Sequence, residues 1–142
     1  MRTLFSLAFD GFPSGRAGVA LFALRAFVGV AFVLHGLGRI RDLPGFAAMY
    51  GLSWTLALAA KLTQIIGGVC LVVGFLTPAA GVSIAATMVA ATVILRHKGE
   101  PFINPNGHSW ENSAFYVLAG LVVALLGPGR YSIDAFLFGA LL

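Results

Sequence analysis

Only one cysteine, Cys70, occurs among the 142 residues. No disulfide can close within the chain, and one copy cannot build an all-cysteine zinc or iron–sulfur site. Charge is also scarce. Asp, Glu, Lys and Arg make up 10% of the sequence, whereas a water-soluble domain carries about 25%. So few charges cannot clothe a globule of this length, and lipid is the expected solvent for most of its surface. The chain has no dinucleotide fingerprint, phosphate loop, metalloprotease motif, hydrolase triad or covalent haem motif. Its three histidines, His35, His97 and His108, are few for haem. Axial ligation would fall to His35 and His97 from facing helices, and haem is not expected.

Apolar residues are abundant. They form 59% of the chain, and the mean hydropathy is +0.95. A membrane span needs roughly 20 mainly apolar residues. Four stretches answer to that, at about 18–38, 54–76, 78–96 and 110–126. The expected fold is therefore all-α: an integral membrane four-helix bundle, up-down-up-down, in a single domain over 1–142. A soluble bundle of this size would have to hide four such runs from water, so it is set aside. The net charge of +4 does not point to nucleic acid, because the basic residues are scattered at the edges of apolar runs. Such placement suits a membrane surface.

The connections are also readable. Arg39, Arg41, Asp42 and Pro44 end the first span and open a loop. Thr77-Pro78 makes a short turn that sets the second and third spans antiparallel. Residues 96–109 are polar and rich in Gly, Pro and Asn, and read as a loop. Gly127-Pro128-Gly129 ends the fourth span. A short tail over 127–142 follows, in which Ser132 or Asp134 can cap a small interfacial helix. Residues 1–17 read as an interfacial segment. Arg2 precedes only a short apolar run that Asp10 interrupts, which does not fit a cleavable signal, and Phe5, Phe9 and Phe12 are expected at the interface.

Polar groups inside spans are costly and usually face an interior. Arg25, Gly29, Phe32, Gly36 and Arg39 share one stripe of the first helix at α-helical spacing, with His35 beside it. Lys61, Gln64 and Gly68 share a stripe of the second; Ser83, Thr87, Ala90 and His97 share one of the third. Small residues on these stripes allow close helix approach. With alternating directions, His35, Arg39, Lys61, Gln64, His97 and Glu111 fall toward one membrane face, joined by Glu100 and His108. That grouping is the expected binding pocket. Arg25 lies toward the opposite face, as does Asp134, and the two are expected to form a structural ion pair. On that reading, reversing both charges partly restores what reversing Asp134 alone loses. Trp54 and Trp110 open helices at interface depth. His97, His108 and Glu111 match no established metal spacing, so no metal is expected.

Arg25 followed by His35-Gly36 and Arg39, the run Gln64-Ile65-Ile66-Gly67-Gly68, the run Gly74-Phe75-Leu76-Thr77, Glu111, and the run from Gly127 to Asp134 occur in this order. Over roughly residues 18–138 the chain resembles the DoxX family of small four-helix membrane proteins. That family commonly has Glu where this chain has Gln64. Any proton-relay role then falls to His35, His97 or Glu111, because an amide does not titrate. Some members are described as subunits of a thiosulfate:quinone oxidoreductase, and others are linked to oxidative-stress complexes. The resemblance implies a multi-pass protein of a bacterial inner (cell) membrane, with lipid and a redox enzyme as partners. It suggests a membrane subunit of a redox-linked complex, with a quinone as the candidate cofactor. Phe32, Phe75 and Phe115 are then candidates to line the quinone slot, and His35, Gln64 or Arg39 to donate to its carbonyls. A scaffold that docks partners through residues 98–109, and a small-molecule or proton carrier acting as a homo-oligomer, are the alternatives. No pattern marks the chain as an enzyme in its own right, and none excludes it.

Overall fold

The structure, a computed structural model, describes residues 12–138. The expectations for Arg2, Phe5, Phe9 and Asp10, and for the last four residues of the tail, lie outside this range. Every regular element among the described residues is helical: α1 (Gly15–Ile40), α2 (Leu43–Tyr50), α3 (Trp54–Val73), α4 (Thr77–His97), α5 (Glu111–Leu126) and α6 (Ile133–Phe138). Three of them, α1, α3 and α4, are long and apolar enough to cross a membrane. Helix α5 has 16 residues, stopped at one end by Gly127 and opened at the other by polar Glu111 and Asn112. Large apolar side chains such as Phe27, Ile66, Val82 and Leu118 point outward and lie exposed. A water-soluble protein rarely displays so much apolar surface.

The helices associate through glycine contacts. Helix α1 packs on α3, α4 on α5, and α3 on α4. A Cβ built on Gly29 would lie 2.6 Å from the Gly68 carbonyl oxygen, and one on Gly68 would lie 2.7 Å from the Gly29 oxygen. The α4–α5 pair repeats this: a Cβ on Gly81 would meet the Gly120 oxygen at 2.8 Å, and one on Gly120 the Gly81 oxygen at 2.9 Å. Two backbone-to-backbone crossings thus hold two helix pairs, as van der Waals packing in lipid favours. Val28, Leu71, Ile84 and Val123 fill the space between the pairs and are fully buried.

Residues 43–50 differ from expectation, forming helix α2 where a loop was read. The reason is local. The Asp42 side chain accepts from Gly45 N at 3.1 Å. Pro44 fits the first turn, where its missing N–H is unneeded, and Gly51 closes the helix in the left-handed region at φ 65. Phe46 and Ala47 then bury against Ala57 of α3. Asp42→Ala is expected to weaken α2 by about 1 kcal/mol through loss of this cap. Hydrogen exchange would show it as faster exchange of the Gly45 amide, with amides in the middle of α3 unchanged.

The end of the molecule near the α3–α4 turn is tied by polar groups. Arg25 is fully buried, and donates to Leu71 O at 3.0 Å and to Tyr131 O at 2.5 Å. Asp134 is fully buried too. Its carboxylate accepts from Leu76 N at 2.7 Å and from Thr77 N at 2.8 Å, and its own N–H donates to Gly74 O at 2.9 Å. Asp134 attracts the Arg25 charge through space, while the hydrogen bonds of both side chains go to backbone. Ser132 caps α6 by accepting from Ala135 N at 3.0 Å.

Candidate functional site

Above the buried cluster the two helix pairs separate. A cavity of about 490 Å³ opens between them, inside the range of about 300–1,000 Å³ common for small-molecule sites. Helix α1 supplies Phe32, His35 and Arg39, and α3 supplies Lys61 and Gln64 one turn apart. Helix α4 supplies Thr87, Met88 and Ala91, and α5 supplies Asn112 and Tyr116. Phe46 and Tyr50 of α2 and residues 107–109 of the loop between α4 and α5 complete the wall.

Lys61 is the central polar group. It is 2% exposed, because the α3 stripe that carries Gln64 and Gly68 faces inward. Its Nζ donates to Gln64 Oε1 at 2.8 Å and sits 3.8 Å from the centroid of the Phe46 ring, a cation–π contact. Phe46 packs on Tyr50 with centroids 4.7 Å apart. Across the cavity, Tyr116 meets Phe32 edge to face at 5.0 Å and lies 6.5 Å from the His35 ring. His35 Nδ1 lies 3.2 Å from Ala31 O. A carbonyl can only accept, so this contact assigns the proton to Nδ1 and leaves Nε2 for other partners.

Two cations hold α2 in place. Arg39 Nη1 reaches Met49 Sδ at 3.4 Å, and Lys98 Nζ donates to Met49 O. Burial raises the Tyr50 phenol above its ordinary value, with the Arg39 charge acting in the other direction. Tyr50 therefore stays a neutral hydrogen-bonding group at neutral pH. The loop after α4 folds back through Trp110 N to Pro101 O at 3.4 Å and Glu111 N to Phe102 O at 3.2 Å. Phe102 packs on Trp110 with centroids 4.5 Å apart.

The residues singled out from the sequence divide between locations. His35, Arg39, Lys61 and Gln64 line the cavity, with His108. His97 lies instead in a separate hollow with Val93 and Arg96. Glu111 is exposed at the start of α5, away from the cavity wall. The structure brings His35 and His97 to no common cavity. Phe75 lies in the turn between α3 and α4, and Phe115 is 58% exposed on the outer face. Of the three rings offered for a slot, only Phe32 lines the cavity. Tyr116, one position after Phe115, takes the inward face. Phe46 and Tyr50 were missed because their segment read as loop. Their spacing of four residues, between the Asp42 cap and Gly51, is the signal that reveals them.

Comparison with known proteins adds two findings. The DoxX family model matches residues 20–97, over half of the chain. The protein named "Putative oxidoreductase CatD" from Bacillus subtilis (strain 168) is 28% identical over 123 residues, covering 84% of this chain and 88% of that one. No solved structure matches the chain.

Proposed function

Because the chain belongs to the DoxX family and is an integral membrane protein with an internal cavity lined by both polar and apolar side chains, we propose that it is the membrane subunit of a redox-linked complex and takes a quinone-type ligand. One observation carries this reading: the cavity joins aromatic walls, Phe32, Phe46, Tyr50 and Tyr116, to a buried donor, Lys61. A quinone needs an apolar slot for its ring and donors for its carbonyl oxygens. His35, Arg39 and Gln64 are the further polar groups within reach of such a ring. The oxidoreductase name of the Bacillus subtilis relative is consistent with this reading.

The proposed arrangement in the bilayer is four spans, up-down-up-down, in a bacterial inner membrane. The cavity draws on the last third of α1, the first half of α3, the second half of α4 and the first turns of α5. That alternation is what successive crossings in opposite directions require. As the fourth span, α5 measures about 24 Å at 1.5 Å per residue, against a hydrocarbon core of roughly 30 Å. Trp110 at its start supplies an interfacial anchor.

The test is calorimetric titration of the protein in nanodiscs with menadione. Saturable binding at one site per chain is expected. Tyr116→Ala, which removes one aromatic wall, is expected to weaken it by about 3- to 10-fold. Menadione that only partitions into the lipid, without saturation, overturns the ligand reading. Co-purification from native membranes tests the complex. A redox enzyme retained with the chain supports it, and clean protein with no lipophilic cofactor counts against it.

A further inference from the structure

The charges around the cavity are of one sign. Arg39 and Lys61 both line it and repel each other, and no described residue of its wall is an acid. The chain has only five acidic residues, Asp10, Asp42, Glu100, Glu111 and Asp134. Asp42 caps α2. Asp134 clamps the α4 start at the opposite end. Glu100 and Glu111 lie off the wall, and Asp10 is outside the described residues. Lys61 thus carries a positive charge into a 2% exposed position where, among the described residues, an amide oxygen and a ring face stand against it and no acid does. An ammonium has three donors, and burying one without a counter-charge is unfavourable by several kcal/mol per ion. Arg39 spends its observed bond on a thioether sulfur, a weak acceptor. Both cations are therefore poised for an anion that no described residue of the chain provides.

We propose that the cavity binds an acidic amphiphile in its anionic form: a carboxylate or ionised enol or phenol oxygen on Lys61, with an apolar ring body against Phe46 and Tyr116. This rests on the cavity being the ligand site, as proposed above, but not on the ligand being a quinone. Ligand charge then sets affinity. Lysine and arginine supply the attraction, and the low-dielectric wall makes it stronger than it would be in water. A neutral ligand of the same shape leaves the ammonium uncompensated.

Three probes separate the readings, each titrated into the protein in nanodiscs of neutral lipid at neutral pH. Lawsone is a hydroxynaphthoquinone that is ionised under these conditions, lawsone methyl ether is its neutral counterpart, and naphthoate is anionic but not a quinone. Lawsone is expected to bind about 10- to 100-fold more tightly than its methyl ether, the margin of a charge-assisted hydrogen bond, and naphthoate to compete with it. In Lys61→Met the preference is expected to fall to within about threefold, whereas Lys61→Arg retains it. The wild-type comparison decides the matter even where a variant does not fold. Equal or tighter binding of the methyl ether overturns the anion proposal and leaves the quinone reading standing. Naphthoate binding as tightly as lawsone, with the neutral quinones menadione and lawsone methyl ether excluded, upholds the anion proposal and overturns the quinone reading, because the quinone carbonyls then add nothing. Failure of all the probes overturns both, and an undiminished preference in folded Lys61→Met overturns the role given to Lys61.

Discussion

Gly68→Leu is expected to abolish the folded protein. The first atom of any side chain at this position would stand 2.7 Å from the Gly29 oxygen, 2.9 Å from Val33 Cγ2 and 3.0 Å from Val33 N. Two of these are backbone atoms, which cannot step aside as the end of a flexible side chain can. Relief requires α1 and α3 to move apart along their length, forfeiting the contacts of Val28, Phe32 and Leu71 with their neighbours. Overpacking by even one carbon typically destabilises by about 1–3 kcal/mol, so Gly68→Ala should remain folded with a lowered melting midpoint. A leucine adds three further carbons in the same place. Its effect should exceed about 4–5 kcal/mol, a large part of a total stability of about 5–15 kcal/mol. The neighbouring position is the control. A Cβ on Gly67 would lie 3.5 Å from Ile84 Cγ1, an ordinary contact. Gly67→Ala should be neutral, or stabilising through the gain of about 0.8–1 kcal/mol in helix propensity. Gly120→Leu should repeat the Gly68 result in the other pair, where a Cβ meets the Gly81 oxygen at 2.9 Å and Ala85 N at 3.1 Å. Size-exclusion profiles and melting midpoints in detergent distinguish these outcomes. A monodisperse Gly68→Leu protein melting like the wild type would refute the crossing.

These contrasts show where sequence reasoning stops. The apolar runs located the long helices to within a few residues, since period and length survive any packing detail. The inward stripe of α3 was equally readable, because Lys61, Gln64 and Gly68 recur at helical spacing. The choice between Phe115 and Tyr116 was not. Adjacent residues differ by about 100° around the helix axis, and Glu111, one turn before Phe115 on the same face, read as a pocket group and so placed Phe115 inward with it, whereas both are exposed. His97 failed to join the cavity for a related reason. It lies about 200° around the α4 axis from Leu95, which lines the cavity, and so faces away from it. Arg39 and Lys61 were legible as polar groups at one end of the bundle. What was not legible is that no described acid shares their cavity, since this depends on where Asp42 and Asp134 spend their carboxylates in three dimensions.

Asp134→Ala is expected to destabilise the protein by about 3–5 kcal/mol, the range for removing one member of a buried charged network. The carboxylate holds two successive N–H groups, of Leu76 and Thr77, at the start of α4, where a helix has unpaired donors and a positive dipole end. Leu76 also sits at φ 47, in the left-handed region, which is unfavourable for a branched side chain and persists only when its surroundings fix it. Asp134→Asn should recover part of the loss. Its single oxygen can accept from one N–H, while its amide group faces the other. This geometry also changes what a charge swap should do. If a bare ion pair were the whole interaction, exchanging Arg25 and Asp134 would restore stability. The actual bonds run from Arg25 to two carbonyl oxygens and from two N–H groups to Asp134, so each position requires its own polarity. The double variant Arg25→Asp/Asp134→Arg is therefore expected to be no more stable than Asp134→Arg alone. Melting midpoints in detergent would check this, and rescue by the double variant would show that the charges matter more than the backbone bonds. Whatever fraction of Asp134→Ala still folds should bind menadione with unchanged affinity. The cavity begins beyond the Val28, Leu71, Ile84 and Val123 layer, and none of the turn residues 74–77 lines it.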